Sequence, residues 1–452
     1  MGLGLHGGGV ASARFFAARG AEVTVTDLRT EEDLAPSIEK LSDLPIRFVL
    51  GRHEISDFAG ADLVVKNPAV PAHSSYLRSA KRVETDLSVF LSINRRPVIA
   101  ITGSKGKSTT ASAVAAALES RFPGTRLGGN ITISPLLFLE DPSFSESKNS
   151  EHPVVLEISS WQLGDLKGKG VLNPRIACIT IILPDHMNHY ASMDDYIKDK
   201  SYIYREQTND HFTLLNYDDP VTGRFAEETE GKIVYFSASP LPDGIHGGWL
   251  DETGGRFRRD DGTVEKILPE KLSIAGNHNR KNLLCAACIC RLFGMQPGRI
   301  AEQLALFNGI EHRLEHVADI GGVTYINDSA ATIPEATVEA AASFSRPVIL
   351  ITGGTDKNLE FDVFTHLPEH IRQFVLLKGS ATEKMVNFFR QNGVSQFMLY
   401  DTLEEAVGAA AAAAEPDDIV VFSPGCASFE LFRNEFDRGN QFKTIVNNLQ
   451  KK

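Results

Sequence analysis

The chain has 452 residues, 42% of them hydrophobic and 23% charged, with a net charge of −12. That length suffices for two to four domains, each with its own core, and the acidic balance excludes a general nucleic-acid partner. No apolar run approaches the ~20 residues that span a bilayer; few cysteines and no secretory signal at the start make the cytoplasm the expected compartment.

The first residues, Met1-Gly-Leu-Gly-Leu-His-Gly-Gly-Gly9, lead into a helical pattern to about Arg19 and then a strand, Ala21 to Asp27. Gly2-x-Gly4-x-x-Gly7, with Asp27 about 20 residues on, has the form of a dinucleotide fingerprint. Taken alone it points to a nicotinamide-dependent dehydrogenase. Such a loop should follow a strand, and only Met1 precedes it. A gap or free edge is therefore expected beside residues 21–27. Strands at Ile46–Leu50 and Ala61–Lys66 complete an alternating α/β unit that ends near Asn94.

A second unit opens with a strand at Arg96–Ile101 and runs into Thr102-Gly-Ser-Lys-Gly-Lys-Ser-Thr109 and a helix over 109–118. Such a glycine loop can turn backbone N–H groups towards phosphate, while Lys107 adds a mobile positive charge. Ser108 is placed to put a hydroxyl on a phosphate-bound Mg²⁺. The spacing Gly103-x-x-Gly106-Lys107-Ser108 is shorter than the usual P-loop. Gly128-Gly-Asn130 reads as a turn. Two apolar strands follow, one ending on Glu157-Ile-Ser-Ser-Trp-Gln162 and the other on Asp185-His-Met-Asn-His189. Glu157 is the carboxylate best placed to join Ser108 around Mg²⁺, because an acid inside an apolar run is costly to bury without a partner. A helix over about 193–205, strands at Phe212–Asn216 and Lys232–Ser237, and helices after Gly276 and near Ile300 close the unit. Cys285, Cys288 and Cys290 lie in an Ala-rich helical segment and read as core rather than a metal site.

A third unit begins near Gly309, with strands at Val323–Asn327, Val348–Thr352, Phe374–Leu377 and Ile419–Phe422. The chain thus reads as α/β with three domains: Rossmann-like over 1–94, central P-loop ATPase-like over 95–308 and Rossmann-like over 309–452. In open α/β sheets ligands gather at the carboxyl ends of the strands, where the phosphate loop, Glu157–Gln162 and Asp185–His189 all fall.

Together these motifs resemble the Mur ligase family over nearly the whole chain. To those above the resemblance adds Tyr196-Ile-Lys-Asp-Lys200, Gly276-Asn-His-Asn-Arg-Lys-Asn282, His312-Arg313, Asn327-Asp-Ser329, Gly353-Gly354 with Lys357, and Ser423-Pro-Gly-Cys-Ala-Ser428. It implies an ATP-dependent amide ligase acting on UDP-N-acetylmuramoyl-L-alanine and glutamate in peptidoglycan precursor synthesis. ATP would phosphorylate the terminal carboxylate, and the amine of glutamate would attack the acyl phosphate. By resemblance Lys107, His186 and Lys200 are catalytic. ATP is contacted by Gly103, Ser104, Lys105, Gly106, Lys107, Ser108, Thr109, Asn279, Asn282, Arg313 and Asp328. One Mg²⁺ is held by Ser108 and Glu157, and a second by His186 and a carbamylated Lys200.

Leu5, His6, Asp27, Arg29, Asn130, Ser159 and Gln162 match positions around the UDP-sugar, and the first loop then holds a uridine nucleotide rather than NAD. The family's Ser-Pro-Gly turn reads Asn67-Pro-Ala69 here, a departure. Thr332, Lys357 and Ser428 fall to glutamate. Ala330 stands where the family's D-glutamate ligases carry lysine, so D-glutamate is the expected substrate and L-glutamate the alternative. Other readings are a ligase for a different amino acid or a folylpolyglutamate synthase. The latter usually lacks a separate N-terminal domain such as 2–94. A P-loop regulatory protein would leave the second metal site unused. The family implies a monomer with no membrane span.

Overall fold

The computed structural model of the chain describes residues 1–452 except 6, 72, 132, 147–149, 185–189, 275, 357–358, 395 and 451–452. His6, His186 and Lys357 lie outside the described residues. Two compact units are resolved: Met1–Leu272 with Asn277–Phe307, and Ser273–Gly276 with Asn308–Lys452.

The first unit begins with two separate pairs of parallel strands: β1 (Val23–Asp27) with β2 (Ile46–Leu50), and β3 (Val64–Val65) with β4 (Val83–Glu84). Met1 and Gly2 bridge the pairs at one end. The Met1 amine donates to Val65 O at 2.8 Å, Asn67 N to Met1 O at 2.9 Å, and Gly2 N to Thr26 O at 2.8 Å. Behind them the slot between β1 and β3 is open. It forms a cavity of about 670 Å³ walled by residues 23–26, residues 63–66 and the helix Gly8–Ala17. The expected gap is therefore present. Burial pushes the Met1 amine down from 8.0 to about 6, against the opposing pull of Asp27. The strand expected over 61–66 shrinks to Val64–Val65, because pairing with only two residues of β4 gives it no longer ladder.

The same unit continues into a nine-stranded sheet. Its strands are β5 (Val98–Thr102), β6 (Arg126–Gly129), β7 (Val154–Glu157), β8 (Ile176–Ile179), β9 (Phe212–Asn216), β10 (Lys232–Ser237), β11 (Gly247–Asp251), β12 (Gly254–Arg258) and β13 (Val264–Pro269), in the order β13-β12-β11-β10-β9-β8-β5-β7-β6. From β10 to β6 all pairs are parallel. Every residue of β5, β7 and β8 is buried, as apolar runs covered on both faces demand. Gly128 and Gly129 end β6, and the chain turns at Asn130. A Cβ on Gly129 would meet Glu157 O at 2.2 Å, so glycine lets the two strands close up. The antiparallel β11–β13 meander carries little apolar alternation. Its Gly248 lies flush on the helix Asn277–Leu292, where a Cβ would stand 2.4 Å from Cys288 Sγ. Cys285, Cys288 and Cys290 are fully buried, and that helix is their core environment.

The second unit holds a six-stranded sheet of β14 (Glu315–Ile320), β15 (Val323–Asn327), β16 (Val348–Thr352), β17 (Ile371–Leu377), β18 (Phe397–Tyr400) and β19 (Ile419–Phe422). The order is β14-β15-β19-β16-β17-β18, parallel except for the β14–β15 hairpin. Among the described residues no helix is long and apolar enough to cross a membrane.

Candidate active site

The phosphate loop leaves β5 at Thr102 and enters a helix at Lys107 (Lys107–Glu119), two residues earlier than the sequence pattern suggests. Two glycines make the turn. Gly103 has φ 143°, and a Cβ there would meet Thr180 Oγ1 at 2.0 Å; Gly106 has φ 83°, and a Cβ would meet Asn282 Oδ1 at 2.4 Å. Thr180 and Asn282 thus press against the loop where it has no side chain. Thr180 Oγ1 also donates to Lys105 O at 2.6 Å. Ser104 turns its hydroxyl inward, bonding Leu183 and lying 2.9 Å from Tyr196 Oη. Lys107 Nζ donates to Ser104 O at 3.0 Å, poised over the loop.

Lys200 arrives from the helix Met193–Ser201. It is 2% exposed, donates to Gly103 O at 2.8 Å, and lies 4.7 Å from the centre of the Tyr196 ring. Glu157 ends β7, 2% exposed. Its Oε1 accepts from Asn130 Nδ2 at 2.8 Å, while Oε2 is buried with no hydrogen-bond partner among the described residues. An orphaned, buried carboxylate oxygen is costly and fits a hard cation. With the Ser108 hydroxyl at the start of the adjacent helix, the donors present suit Mg²⁺.

Ser159 and Gln162 cap the helix Ser160–Leu166 reciprocally: Gln162 N donates to Ser159 Oγ at 3.3 Å and Ser159 N to Gln162 Oε1 at 3.0 Å. A cavity of about 360 Å³ brings Gly103, Lys107, Asn130, Ser159, Gln162 and Lys200 together. Leu5, Asp27 and Arg29 do not line it. Asp27 is buried and fastens the first loop, accepting from Gly4 N at 3.1 Å and Arg29 N at 3.0 Å. Leu5 and Arg29 are exposed.

The cavity also exposes residues the sequence pattern does not single out, Asp86 and Ser134. Ser134 Oγ donates to Asp86 Oδ2 at 2.7 Å, and burial pushes the Asp86 carboxyl up. The Thr85 capping box before Asp86 is legible in sequence as a helix start, but nothing in it marks a cavity wall.

In the second unit the loops after β15 and β19 meet. Asp328 N donates to Phe422 O at 2.8 Å and Gly425 N to Ala331 O at 3.0 Å. Asp328 is 5% exposed and accepts from Ser423 Oγ at 2.7 Å and Leu314 N at 3.1 Å. Burial pushes its carboxyl up to about 7 despite these bonds and the nearby Arg313 and Arg438. Arg438, fully buried, ties the loops together. It donates to Ser329 O at 2.8 Å, Ser329 Oγ at 3.0 Å, Cys426 O at 3.0 Å and Ala427 O at 3.1 Å. No local sequence signal marks it. Thr332 is half-buried, Ser428 buried and Ala330 exposed beside them.

Three family models match: the Mur ligase MurD-like N-terminal domain over 1–88, the Mur ligase middle domain over 101–290, and the Mur ligase glutamate ligase domain over 312–426. The chain belongs to the Mur ligase family. Among its relatives is the UDP-N-acetylmuramoylalanine–D-glutamate ligase of Borreliella burgdorferi, 41% identical over 99% of this chain and 97% of the relative. The enzyme of the same name from a Roseiflexus species is also 41% identical, with the same coverage. Among solved structures, UDP-N-acetylmuramate-alanine ligase MurC from Thermotoga maritima shares the fold with a TM-score of 0.57 at 20% identity, covering 98% of this chain and 97% of that one. MurF from Acinetobacter baumannii gives 0.56 at 17% identity, covering 96% and 92%. The three-domain α/β architecture of the family is thus the fold of this chain.

Proposed function

We propose that the chain is the ATP-dependent ligase that joins D-glutamate to UDP-N-acetylmuramoyl-L-alanine in peptidoglycan precursor synthesis, acting as a cytoplasmic monomer. The observation that carries this reading is the cavity in which the phosphate-loop Lys107, the buried Lys200 and the Asn130–Ser159–Gln162 wall converge. Full-length similarity to ligases of that name supports the substrate. We set the domain boundaries at 1–94, 95–308 and 309–452.

A free carboxylate is a poor electrophile, so phosphate must first become its leaving group. Lys107, anchored on Ser104 O, reaches the transferring phosphoryl and neutralises charge as it builds. The loop N–H groups orient the ATP phosphates, with Asn279 and Asn282 beside them; Arg313 and Asp328 are assigned to the same nucleotide. Mg²⁺, when bound by Ser108 and Glu157, supplies further neutralisation of the phosphate oxygens. His186 and Lys200 are assigned to a second Mg²⁺. An ammonium repels a cation, and a carbamate formed from the neutral Lys200 amine and CO₂ would present oxygen instead. Leu5, His6, Asp27 and Arg29 are assigned to the uridine diphosphate end, and Thr332, Lys357 and Ser428 to glutamate.

Phosphate release from ATP with UDP-N-acetylmuramoyl-L-alanine, scanned over amino acids of both hands, tests the reading. D-Glutamate should stimulate release and yield the amide; a chain that ligates L-glutamate and ignores D-glutamate overturns the stereochemistry. Lys200→Ala should be nearly inactive and partly rescued by small carboxylic acids. Full activity without the modification removes the carbamate.

A further inference from the structure

The turn Asn67–Ala69 lines the same cavity as Ser159–Gln162. Its own fold holds it weakly, since it follows a strand paired over two residues. Inside the turn Ala69 N donates to Asn67 Oδ1 at 3.0 Å and Val70 N to Asn67 O at 2.9 Å. Beneath it lies Lys66, 5% exposed, whose Nζ donates to Val70 O at 2.9 Å and stands 2.6 Å from Asp165 Oδ2. Asp165, with 10% of its side chain exposed, sits in the last turn of the helix Ser160–Leu166. The first turn of that helix also lines the cavity. One ion pair therefore ties the residue just before the turn to the helix that lines the same cavity.

The pair is poorly placed to serve stability. A carboxylate in the last turn of a helix opposes the partial negative charge there, and burial disfavours it further. Buried ion pairs are often matched or exceeded by packed apolar side chains. Their consequence is geometric: a charged pair in a dry interface has one good separation. A second strut, Lys169 Nζ to Glu84 Oε2 at 2.9 Å and to Val83 O at 2.7 Å, braces the same two regions away from the cavity.

We infer that the Lys66–Asp165 pair sets the width of the cavity at its Asn67–Ala69 end, making Lys66 and Asp165 positioning residues for the sugar and diphosphate of the nucleotide substrate. This rests on the function proposed above.

The test is steady-state kinetics of the full chain and its Lys66→Met, Asp165→Leu and double variants with ATP, D-glutamate and UDP-N-acetylmuramoyl-L-alanine, alongside thermal unfolding. Either single change leaves an unpaired buried charge and should lower Tm. The double change should restore most of the Tm yet keep KM for the nucleotide sugar raised by about tenfold. KM for ATP and kcat should stay within about twofold of wild type, and Lys66→Arg should recover part of the KM loss. A double variant with wild-type KM for the nucleotide sugar, or one that loses ATP affinity equally, overturns the inference while the ligase reading stands. A wild-type chain inactive on that substrate overturns the reading and the inference with it.

Discussion

Two glycine loops open two α/β regions of this chain, and they are held in opposite ways. The phosphate loop grows out of β5, a fully buried strand with neighbours on both sides, and Thr180, Asn282, Lys200 and Tyr196 lock it from behind. At the first glycine loop Met1 and Gly2 are strung between β1 and the β3 end by three backbone bonds, and a slot lies open between those strands. A glycine pattern states that a turn is sterically possible. Whether the turn is rigid depends on the strand that delivers it and the side chains that back it.

The largest expected effect separates chemistry from packing in the locked loop. Lys107→Ala should lower kcat/KM by about a thousandfold or more, roughly 4 kcal/mol, if the lysine meets developing phosphoryl charge as proposed. Half-exposed, it adds little to the core, so Tm should hardly move. Near-normal ligation by this variant, measured by amide formation, would remove the phosphate-loop assignment.

Alanine at one glycine of each loop should sharpen the contrast in stability. Gly103→Ala forces a Cβ to 2.0 Å from Thr180 Oγ1 as well as adopting φ 143°, and should cost about 3 kcal/mol or more. Gly7 has φ 88° with nothing within 4 Å of a Cβ, so Gly7→Ala should cost only the backbone strain, about 1 kcal/mol. Urea unfolding reads both. Equal losses would mean the first loop is as tightly packed as the second.

Filling the slot should make the loops more alike. An extension of about five apolar β-branched residues ahead of Met1 can run between β1 and β3 and pair with both. It also moves the charged amine out of its buried position. That amine is depressed in the folded chain, so the folded state binds fewer protons than the unfolded one between about pH 6 and 8. Stability should therefore rise with pH across that window, by about 2 kcal/mol in total, and the extension should abolish the slope. Tm at pH 6 should rise by roughly 5 °C. Identical melting profiles for the two chains would mean that the slot does not accept a strand.

The smallest effect concerns a third loop, after β15. Ala330 is exposed beside Thr332 and offers no charge to a substrate carboxylate. Ala330→Lys should lower KM for D-glutamate by up to about tenfold, or ~1.4 kcal/mol, without changing KM for ATP. An unchanged or raised KM places the amino-acid carboxylates elsewhere.

The sequence by itself determined the alternating α/β order. Apolar β-branched runs such as 348–352 and 419–422 have one stable use, as buried parallel strands, and they fall where they read. It also marked the glycine loop between β5 and the helix that follows, because glycine, lysine and serine at that spacing, straight after an apolar strand, suit a tight strand-to-helix turn. Only the tertiary structure decided the rest. In the β11–β13 meander Gly248 and Gly255 lie against side chains of the helix Asn277–Leu292, and no local period reports that. Lys66, Asp165, Asp86 and Arg438 each look like ordinary surface charges in the chain. Burial makes them otherwise: a charge leaves water only where partners far along the sequence converge on it, and that convergence is a property of the folded molecule.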